Sequence, residues 1–155
     1  MASNPKSDRE FFRQSPLFHG LAAESIDQLI DIAEVRQHIP GEAIVKEGTE
    51  GDAIFLLYSG EVSVSVEGEK GRVHLATLRH KGAFFGEIAL VDPGPRSATV
   101  TSNAEAVLLS IRLSDLERLF KQEPRAHIAV LGNIARVLAQ RLRDTNAQLT
   151  LFASS

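Results

Sequence analysis

Residues 61–67 read Glu-Val-Ser-Val-Ser-Val-Glu, an unbroken alternation of apolar and polar side chains. Successive side chains of a β-strand point to opposite faces of a sheet, so Val62, Val64 and Val66 are expected on one face. The polar turn 68–71, Gly-Glu-Lys-Gly, comes next, and 72–78 alternates less strictly. The stretch therefore predicts two strands joined by a tight turn.

Short β-prone segments lie on both sides of this pair. Turn signals rich in glycine and proline separate them, at spacings of roughly 8–12 residues. That spacing favours an antiparallel sandwich or barrel over βαβ units, and it predicts a β-roll spanning about residues 40–112. The four further predicted strands are Ala43–Lys46, Ile54–Tyr58, Ala98–Thr101 and Ala106–Ile111.

Helical spacing of apolar residues appears at both ends of the β-rich region. Between Leu21 and Val35 it predicts a helix, which the His38-Ile-Pro-Gly41 turn should stop. Towards the C-terminus, the sequence predicts helices over 114–149. Ser114-Asp-Leu-Glu117 has the pattern of a capping box, and Pro124 suits the first turn of a long second helix.

The composition indicates one soluble domain. We expect it to span 15–149, with a disordered or helical tail at 1–14 and a short tail at 150–155. The 155 residues include no cysteine, which excludes disulfides and thiolate chemistry and suits a reducing cytoplasm. A net charge of −3 provides no global attraction to nucleic acid or anionic lipid. No apolar run approaches the roughly 20 residues that span a bilayer, and the N-terminus lacks a signal peptide.

The segment 84–100, Phe-Phe-Gly-Glu-Ile-Ala-Leu-Val-Asp-Pro-Gly-Pro-Arg-Ser-Ala-Thr-Val, carries the chemistry. Gly86 permits close backbone approach, and the residues after it favour one helical turn with free N–H groups. Arg96 is a forked cation suited to a phosphate, with the Ser97 hydroxyl beside it, and Glu87 suits a sugar hydroxyl. This combination indicates a phosphorylated sugar, although Arg96 and Glu87 alone would also fit a surface ion pair worth less than about 1 kcal/mol.

Residues 85–90 (Phe-Gly-Glu-Ile-Ala-Leu) and 95–100 (Pro-Arg-Ser-Ala-Thr-Val) resemble the phosphate-binding cassette of the cyclic-nucleotide-binding domain family. The resemblance extends from about Pro16 to Leu149. It implies a mainly β fold, an antiparallel β-roll (a double-stranded β-helix or jelly roll) flanked by an N-terminal helix and C-terminal helices. It also implies a sensor of cAMP or cGMP, as in catabolite-activator-like regulators, kinase regulatory subunits and nucleotide-gated channels. Further similar segments are 15–18, 40–42, 47–52 and 58–62.

By that resemblance, Glu87 accepts a hydrogen bond from the ribose 2′-hydroxyl and Arg96 pairs with the cyclic phosphate. The remaining expected donors are the Ser97 hydroxyl and the backbone amides of Ile88, Ala89 and Ala98. Ser97 is compatible with either purine, so the choice between cAMP and cGMP stays open. We expect no cofactor besides this ligand, no metal and no catalytic residue. The other candidate contacts are Phe85, Gly86, Val73, Leu75 and Arg136.

The predicted long helix carries a heptad-spaced apolar seam. That face either packs on the roll or forms a homodimer through residues 125–149. Three arginines make the other side basic, and this side is either solvated or reaches the base or phosphate. The resemblance implies that the helix moves over the base and transmits the signal. The seam is Ile128, Leu131, Ala135, Leu138, Leu142, Thr145 and Leu149, and the arginines are Arg136, Arg141 and Arg143.

Competing functions have less support in the sequence. An enzyme of the cupin type would need clustered histidines, whereas the five histidines are scattered without a His-x-His pair. The six residues after Leu149 leave no room for a helix-turn-helix, so this chain is not expected to bind DNA. It could be excised from a larger bacterial effector or be a truncated catabolite-activator-type regulator. A degenerate binding fold that serves as a dimerisation or interaction module is the remaining alternative.

Overall fold

The computed structural model describes residues 4–154 and contains two four-stranded antiparallel sheets that face each other. One sheet has the spatial order β1-β8-β3-β6, and the other has the order β2-β7-β4-β5. The strands are β1 (Glu34–His38), β2 (Ala43–Val45), β3 (Ala53–Ser59), β4 (Val62–Gly68), β5 (Gly71–Leu78), β6 (Phe84–Phe85), β7 (Thr99–Ser102) and β8 (Ala106–Arg112).

Helices lie at both ends of this roll and within one loop, which confirms the predicted fold class. They are α1 (Arg9–Gln14), α2 (Ala23–Ile32), α3 (Ile88–Val91), α4 (Leu113–Gln122) and α5 (Pro124–Ser154). A short 3₁₀ turn, Pro5–Ser7, precedes α1. Residues 1–3 of the predicted N-terminal tail and residue 155 of the predicted C-terminal tail lie outside the described residues.

The core consists of two apolar clusters on opposite faces of β3. Ile54 and Leu56 point into a cluster shared with the helices, where Phe12 and Val130 are also buried. The alternate residues, among them Phe55, point into a second cluster between the two sheets. Because both faces of β3 are covered, its first five residues are buried in succession and show no polar alternation.

The first predicted helix is too long, since the structure places β1 where its last turn was expected. The helix α2 ends at Ile32, Ala33 adopts extended backbone, and Val35 pairs with Leu109 of β8. The turn at residues 38–41 therefore follows a strand and does not stop a helix. Pairing with a buried neighbouring strand outweighs the weak helical spacing of these few residues.

The predicted capping box is also wrong. The helix α4 begins at Leu113, so Ser114 lies inside its first turn, and the residue at the cap position, Arg112, makes no side-chain capping hydrogen bond. The Leu113 backbone N–H donates instead to the carbonyl oxygen of Asp52 at 2.9 Å. A backbone acceptor from the loop before β3 thus satisfies one of the orphan donors that a serine would otherwise have bonded.

The first half of α5 packs against the roll. The helix begins at Pro124, as the sequence predicted. Val130 and Ile134 are buried, and the Asn133 side-chain amide donates to the carbonyl oxygens of Leu17 at 2.8 Å and His19 at 2.9 Å. These bonds tie α5 to the segment that connects α1 and α2. No helix among residues 4–154 is both long and apolar enough to cross a membrane.

The predicted seam lies mostly away from the roll. Ile128 is 72% exposed, and Leu142 and Leu149 are each 61% exposed. Leu138 packs partly against the core, so only the middle of the seam contributes to the packing of α5 on the roll.

Asn133→Ala should lower the free energy of unfolding by about 1–3 kcal/mol, because two buried or part-buried carbonyls would lose their donor. Urea denaturation measures this change. The control is Asn146→Ala, an exposed position on the same helix, which should alter stability by less than about 0.5 kcal/mol. Equal effects of the two substitutions would contradict the anchoring role of Asn133.

Candidate functional site

A cavity of about 730 Å³ opens between the β2-β7-β4-β5 sheet, the segment 85–98 and the outer half of α5. Its size lies within the range of small-molecule sites. Apolar side chains of the sheet line one wall of the cavity: Val64 from β4, Leu75 from β5 and Val100 from β7. Val64 pairs with Ala76, whereas the next residue, Ser65, pairs with His74. Leu75 is therefore the extra residue of a β-bulge.

The Arg96 guanidinium lies in a niche made by two glycines. Its Nη2 donates to the carbonyl oxygen of Ala53 at 2.7 Å, and its Nη1 donates to that of Gly86 at 3.3 Å. A Cβ on Gly86, whose φ is +83°, would lie 2.6 Å from Nη1, and a Cβ on Gly51 would lie 2.9 Å from Cζ. With the guanidinium in this position a Cβ would collide with it at either glycine, and at Gly86 the positive φ and the Ala53 carbonyl oxygen, 3.0 Å from that Cβ, disfavour a side chain as well.

Burial lowers the pKa of Arg96, while the carboxylates of Asp52 and Glu87 act in the opposite direction. The group remains cationic at neutral pH because an arginine titrates far above it. The guanidinium also stands 5.9 Å from the centre of the Phe55 ring, which lies beneath it in the core between the sheets. A fixed cation thus lines one side of the cavity.

Glu87 is buried, and its carboxylate is bound by the last part of the chain. The Nη1 of Arg141, on α5, donates to Glu87 Oε1 at 2.7 Å, and the Glu87 side chain is only 4% exposed. The surface ion pair between Glu87 and Arg96 that the sequence left open is not formed, because Arg96 donates to backbone carbonyls. The structure thus presents a cation and a buried acceptor in one cavity.

The helical turn expected after Glu87 is present as α3. Ile88 and Ala89 line the cavity from this turn, and Ser97 and Ala98 line it from the loop that leads into β7. Phe85, Gly86, Glu87 and Arg96 line the cavity as well. All eight residues of the predicted cassette therefore border the same space.

The three outlying candidates are distributed differently. Leu75 lines the cavity, whereas Val73 and Arg136 are not among the described residues that do so. Val73 is half-exposed and lies two residues before the bulge at Leu75. The Arg136 guanidinium donates to the side-chain oxygen of Asn133, so its described bond supports the anchor of α5.

The sequence analysis left open whether the basic side of α5, which includes Arg141, reaches the ligand, but it did not identify the helix face that lines the cavity. Four of its residues line the cavity, at positions i, i+3, i+4 and i+7, which is the spacing of one helix face. That spacing is visible in the sequence, but nothing in the pattern shows that the face lies over the cassette. The four residues are Arg141, Asp144, Thr145 and Gln148.

Within residues 4–154, no three His, Asp or Glu side chains come together in a group that could hold a metal ion.

Gly86→Ala should lower the free energy of unfolding by about 1–3 kcal/mol, because alanine at this φ is strained and its Cβ collides with the Arg96 guanidinium. Gly94→Ala is the matched control, since a Cβ there has no neighbour within 4 Å and the φ is not left-handed. Denaturant titration of both variants measures the difference. Equal stability of the two would show that the niche tolerates a side chain.

Comparison with known proteins agrees with this geometry. A profile of the cyclic nucleotide-binding domain matches residues 35–123. The "Cyclic AMP receptor protein" of Thermus thermophilus is 34% identical over 139 residues, which are 90% of this chain and 62% of that protein. "Glutaminase 1" of Bradyrhizobium diazoefficiens is 37% identical over 142 residues, which are 92% of this chain and 22% of that enzyme.

A solved structure shows the same architecture. The crystal structure of the Thermus thermophilus catabolite activator protein superposes with a TM-score of 0.74 at 35% identity, covering 90% of this chain and 63% of that one. The chain thus spans less than two thirds of each of these relatives. The matching profile covers more than half of the sequence, including the cassette and most of the roll. The chain belongs to the cyclic nucleotide-binding domain family.

Proposed function

We propose that this domain binds cAMP or cGMP and acts as a regulatory sensor that catalyses no reaction. The observation that carries the proposal is the joint placement of Arg96 and Glu87 in one cavity of about 730 Å³. A cyclic nucleotide has an anionic phosphate and a free ribose 2′-hydroxyl. These two groups require a cation and an acceptor at a fixed separation.

The phosphate subsite is centred on Arg96. Its guanidinium is already held by Ala53 and Gly86, so little side-chain entropy is lost when the phosphate binds. A guanidinium has five donors, and the two described bonds leave others for phosphate oxygens. The backbone N–H groups of Ile88, Ala89 and Ala98 and the Ser97 hydroxyl are the further proposed donors, since these residues line the same space.

The ribose and base occupy the rest of the cavity in this proposal. The Glu87 carboxylate accepts from the 2′-hydroxyl, because it has acceptor sites beyond the one that Arg141 uses. Phe85, Val64 and Leu75 offer apolar contact to the base and sugar. Contacts of this kind favour a purine without choosing between adenine and guanine.

The outer half of α5 is the proposed lid and signal transmitter. All described residues from Ala139 to Ser154 are exposed, yet four of them line the cavity. A segment with few core contacts is free to occupy more than one position. A ligand changes the balance between those positions only if it binds one of them more tightly, and contact with Arg141 or Gln148 would provide that difference.

The exposed seam of α5 is proposed to form a homodimer. Its apolar residues recur at the 3–4 spacing of a two-stranded coiled coil, and Ile128, Leu142 and Leu149 have large exposed fractions in the single chain. A second copy of the same helix offers a matching seam, and the ends of the seam, at Ile128, Leu142 and Leu149, are not buried against the chain's own roll.

The effector is proposed to be a larger bacterial protein or a separate partner in the cytoplasm. The relatives described above include a cyclic AMP receptor protein and a glutaminase, each longer than this chain. A regulatory domain that is joined to different effectors explains why similarity to such different proteins is confined to these residues.

Isothermal titration calorimetry with cAMP and with cGMP tests the ligand directly. We expect micromolar or tighter binding of at least one nucleotide, and Arg96→Ala should weaken it about 10- to 100-fold by removing a charge-assisted contact. The control is Arg118→Ala, because Arg118 is exposed and pairs with Asp115 on α4, away from the cavity. It should bind as the wild type does.

No heat with either nucleotide, on folded and ligand-free protein, would contradict the sensor proposal. The alternative would then be a degenerate binding fold that serves as a dimerisation or interaction module. Binding that Arg96→Ala leaves unchanged would place the phosphate elsewhere.

Analytical ultracentrifugation tests the homodimer. The wild type should sediment as a dimer, and Leu142→Asp should shift it to a monomer because the charge would lie in the apolar seam. The control is Ala147→Asp, which adds the same charge on the opposite side of the helix. A monomeric wild type at high micromolar concentration would contradict the proposal.

A further inference from the structure

The loop between β2 and β3, residues 46–52, contacts both the backbone and the side chain of Arg96. The Arg96 backbone N–H donates to the carbonyl oxygen of Thr49 at 2.7 Å, and the Gly48 N–H donates to the Arg96 carbonyl oxygen at 2.8 Å. Gly51 lies against the guanidinium, so closely that a Cβ there would be 2.9 Å from Cζ. The position of Arg96 therefore depends on the position of this loop.

Glu47 ties the same loop to the sheet that lines the cavity. Its backbone N–H donates to the Thr99 hydroxyl oxygen at 2.9 Å, and its carboxylate oxygen Oε1 accepts from the Glu67 backbone N–H at 2.9 Å. Thr99 begins β7 and Glu67 lies near the end of β4, so one residue bonds to two strands. Among the described side chains of residues 46–52, Glu47 is the one whose hydrogen bond reaches another part of the chain.

The Glu47 carboxylate bonds to β4 at a point where β7 has ended. The pairing of these two strands stops at Ser65 and Thr99, and Glu67 lies two residues further along β4. A backbone N–H at the edge of a sheet bonds to water unless another acceptor is present. Glu47 is exposed, so its bond competes with water and should fix the loop without adding much to the stability of the core.

Resting on the proposed function, we propose that Glu47 is a positioning residue of the phosphate site. It is not among the described residues that line the cavity, and it acts through Arg96. By tying the loop to β4, it keeps the backbone groups of Gly48 and Thr49 bonded to Arg96 and the guanidinium directed into the cavity. A phosphate then meets a cation whose freedom is already reduced, which lowers the entropy cost of binding.

Amide hydrogen exchange on the ligand-free protein, followed by NMR at each residue, tests this tie directly. In Glu47→Ala, the N–H groups of Gly48 and Arg96 should exchange about three- to tenfold faster, because one hydrogen bond that restrains the loop is lost. Glu47→Gln should exchange as the wild type does, since the glutamine side-chain oxygen also accepts from the Glu67 N–H.

Two references separate a local effect from a general loss of stability. Leu109 is buried in β8, which pairs with both β1 and β3, so its N–H reports the opening of the core and should exchange at the same rate in every variant. Glu69→Ala is the matched control, because Glu69 is an exposed glutamate in the β4–β5 turn with no described side-chain bond. Equal acceleration at Arg96 and Leu109 would overturn the proposal, as would an unchanged rate at Arg96 in Glu47→Ala.

A double-mutant cycle by calorimetry tests whether Glu47 acts through Arg96. Wild type, Glu47→Ala, Arg96→Ala and the double variant are each titrated with cAMP and with cGMP. We expect Glu47→Ala to weaken the nucleotide that binds about three- to tenfold, but by less than about twofold when residue 96 is already alanine. An equal loss in both backgrounds would overturn the positioning role.

The cycle also separates this proposal from the proposed function. Wild-type binding that Arg96→Ala weakens would uphold the phosphate site whatever Glu47→Ala does. Additive losses, or no loss in Glu47→Ala, would then overturn the role of Glu47 alone. A wild type that binds neither nucleotide would overturn both.

Discussion

The burial of β3 on both faces determines much of the molecule. Its side chains alternate between the helix-packed cluster and the cluster between the sheets, so the strand holds both halves of the core together. Ala53, the first residue of the strand, and Asp52, the residue before it, each have a backbone carbonyl that accepts a hydrogen bond from another part of the molecule. The Asp52 carbonyl accepts from the start of α4, and the Ala53 carbonyl accepts from Arg96. A displacement of this strand would therefore move both the Arg96 guanidinium and the first turn of α4.

The site also depends on how its charges are distributed before any ligand arrives. Arg96 donates to backbone carbonyls and Glu87 accepts from Arg141, so the two groups have separate hydrogen-bond partners although their charges attract each other. A phosphate can approach Arg96 without breaking an ion pair, which keeps the cost of binding low. Glu87 meanwhile remains an acceptor with a neighbouring cation. In the proposed site, a phosphate at Arg96 and a ribose hydroxyl at Glu87 would therefore meet side chains with different hydrogen-bond partners.

Local patterns in the sequence predicted most of the roll. The alternation at 61–67, the turn at 68–71 and the proline at position 124 lie next to the structures that they specify, and they appear where expected, although β4 begins at Val62. The cassette is likewise one continuous segment, so its residues could be named together. The β1 strand and the start of α4 could not be predicted, because each depends on hydrogen bonds from residues distant in the chain. The sequence named Arg141 among three arginines that could reach the ligand, but its pairing with Glu87 could not be predicted because that partner lies 54 residues away.

The long, exposed end of α5 has a geometrical consequence. Sixteen consecutive residues beyond the core contacts rise about 24 Å and turn by about 100° per residue. A rigid helix of this kind transmits rotation as well as displacement, so a small tilt at Arg141 becomes a larger movement at the tip. The direction in which an element joined to that end faces would depend on the number of helical residues between Arg141 and that element. In the proposed signal, the length of the helix would therefore set both how far its end moves and the direction in which that end faces.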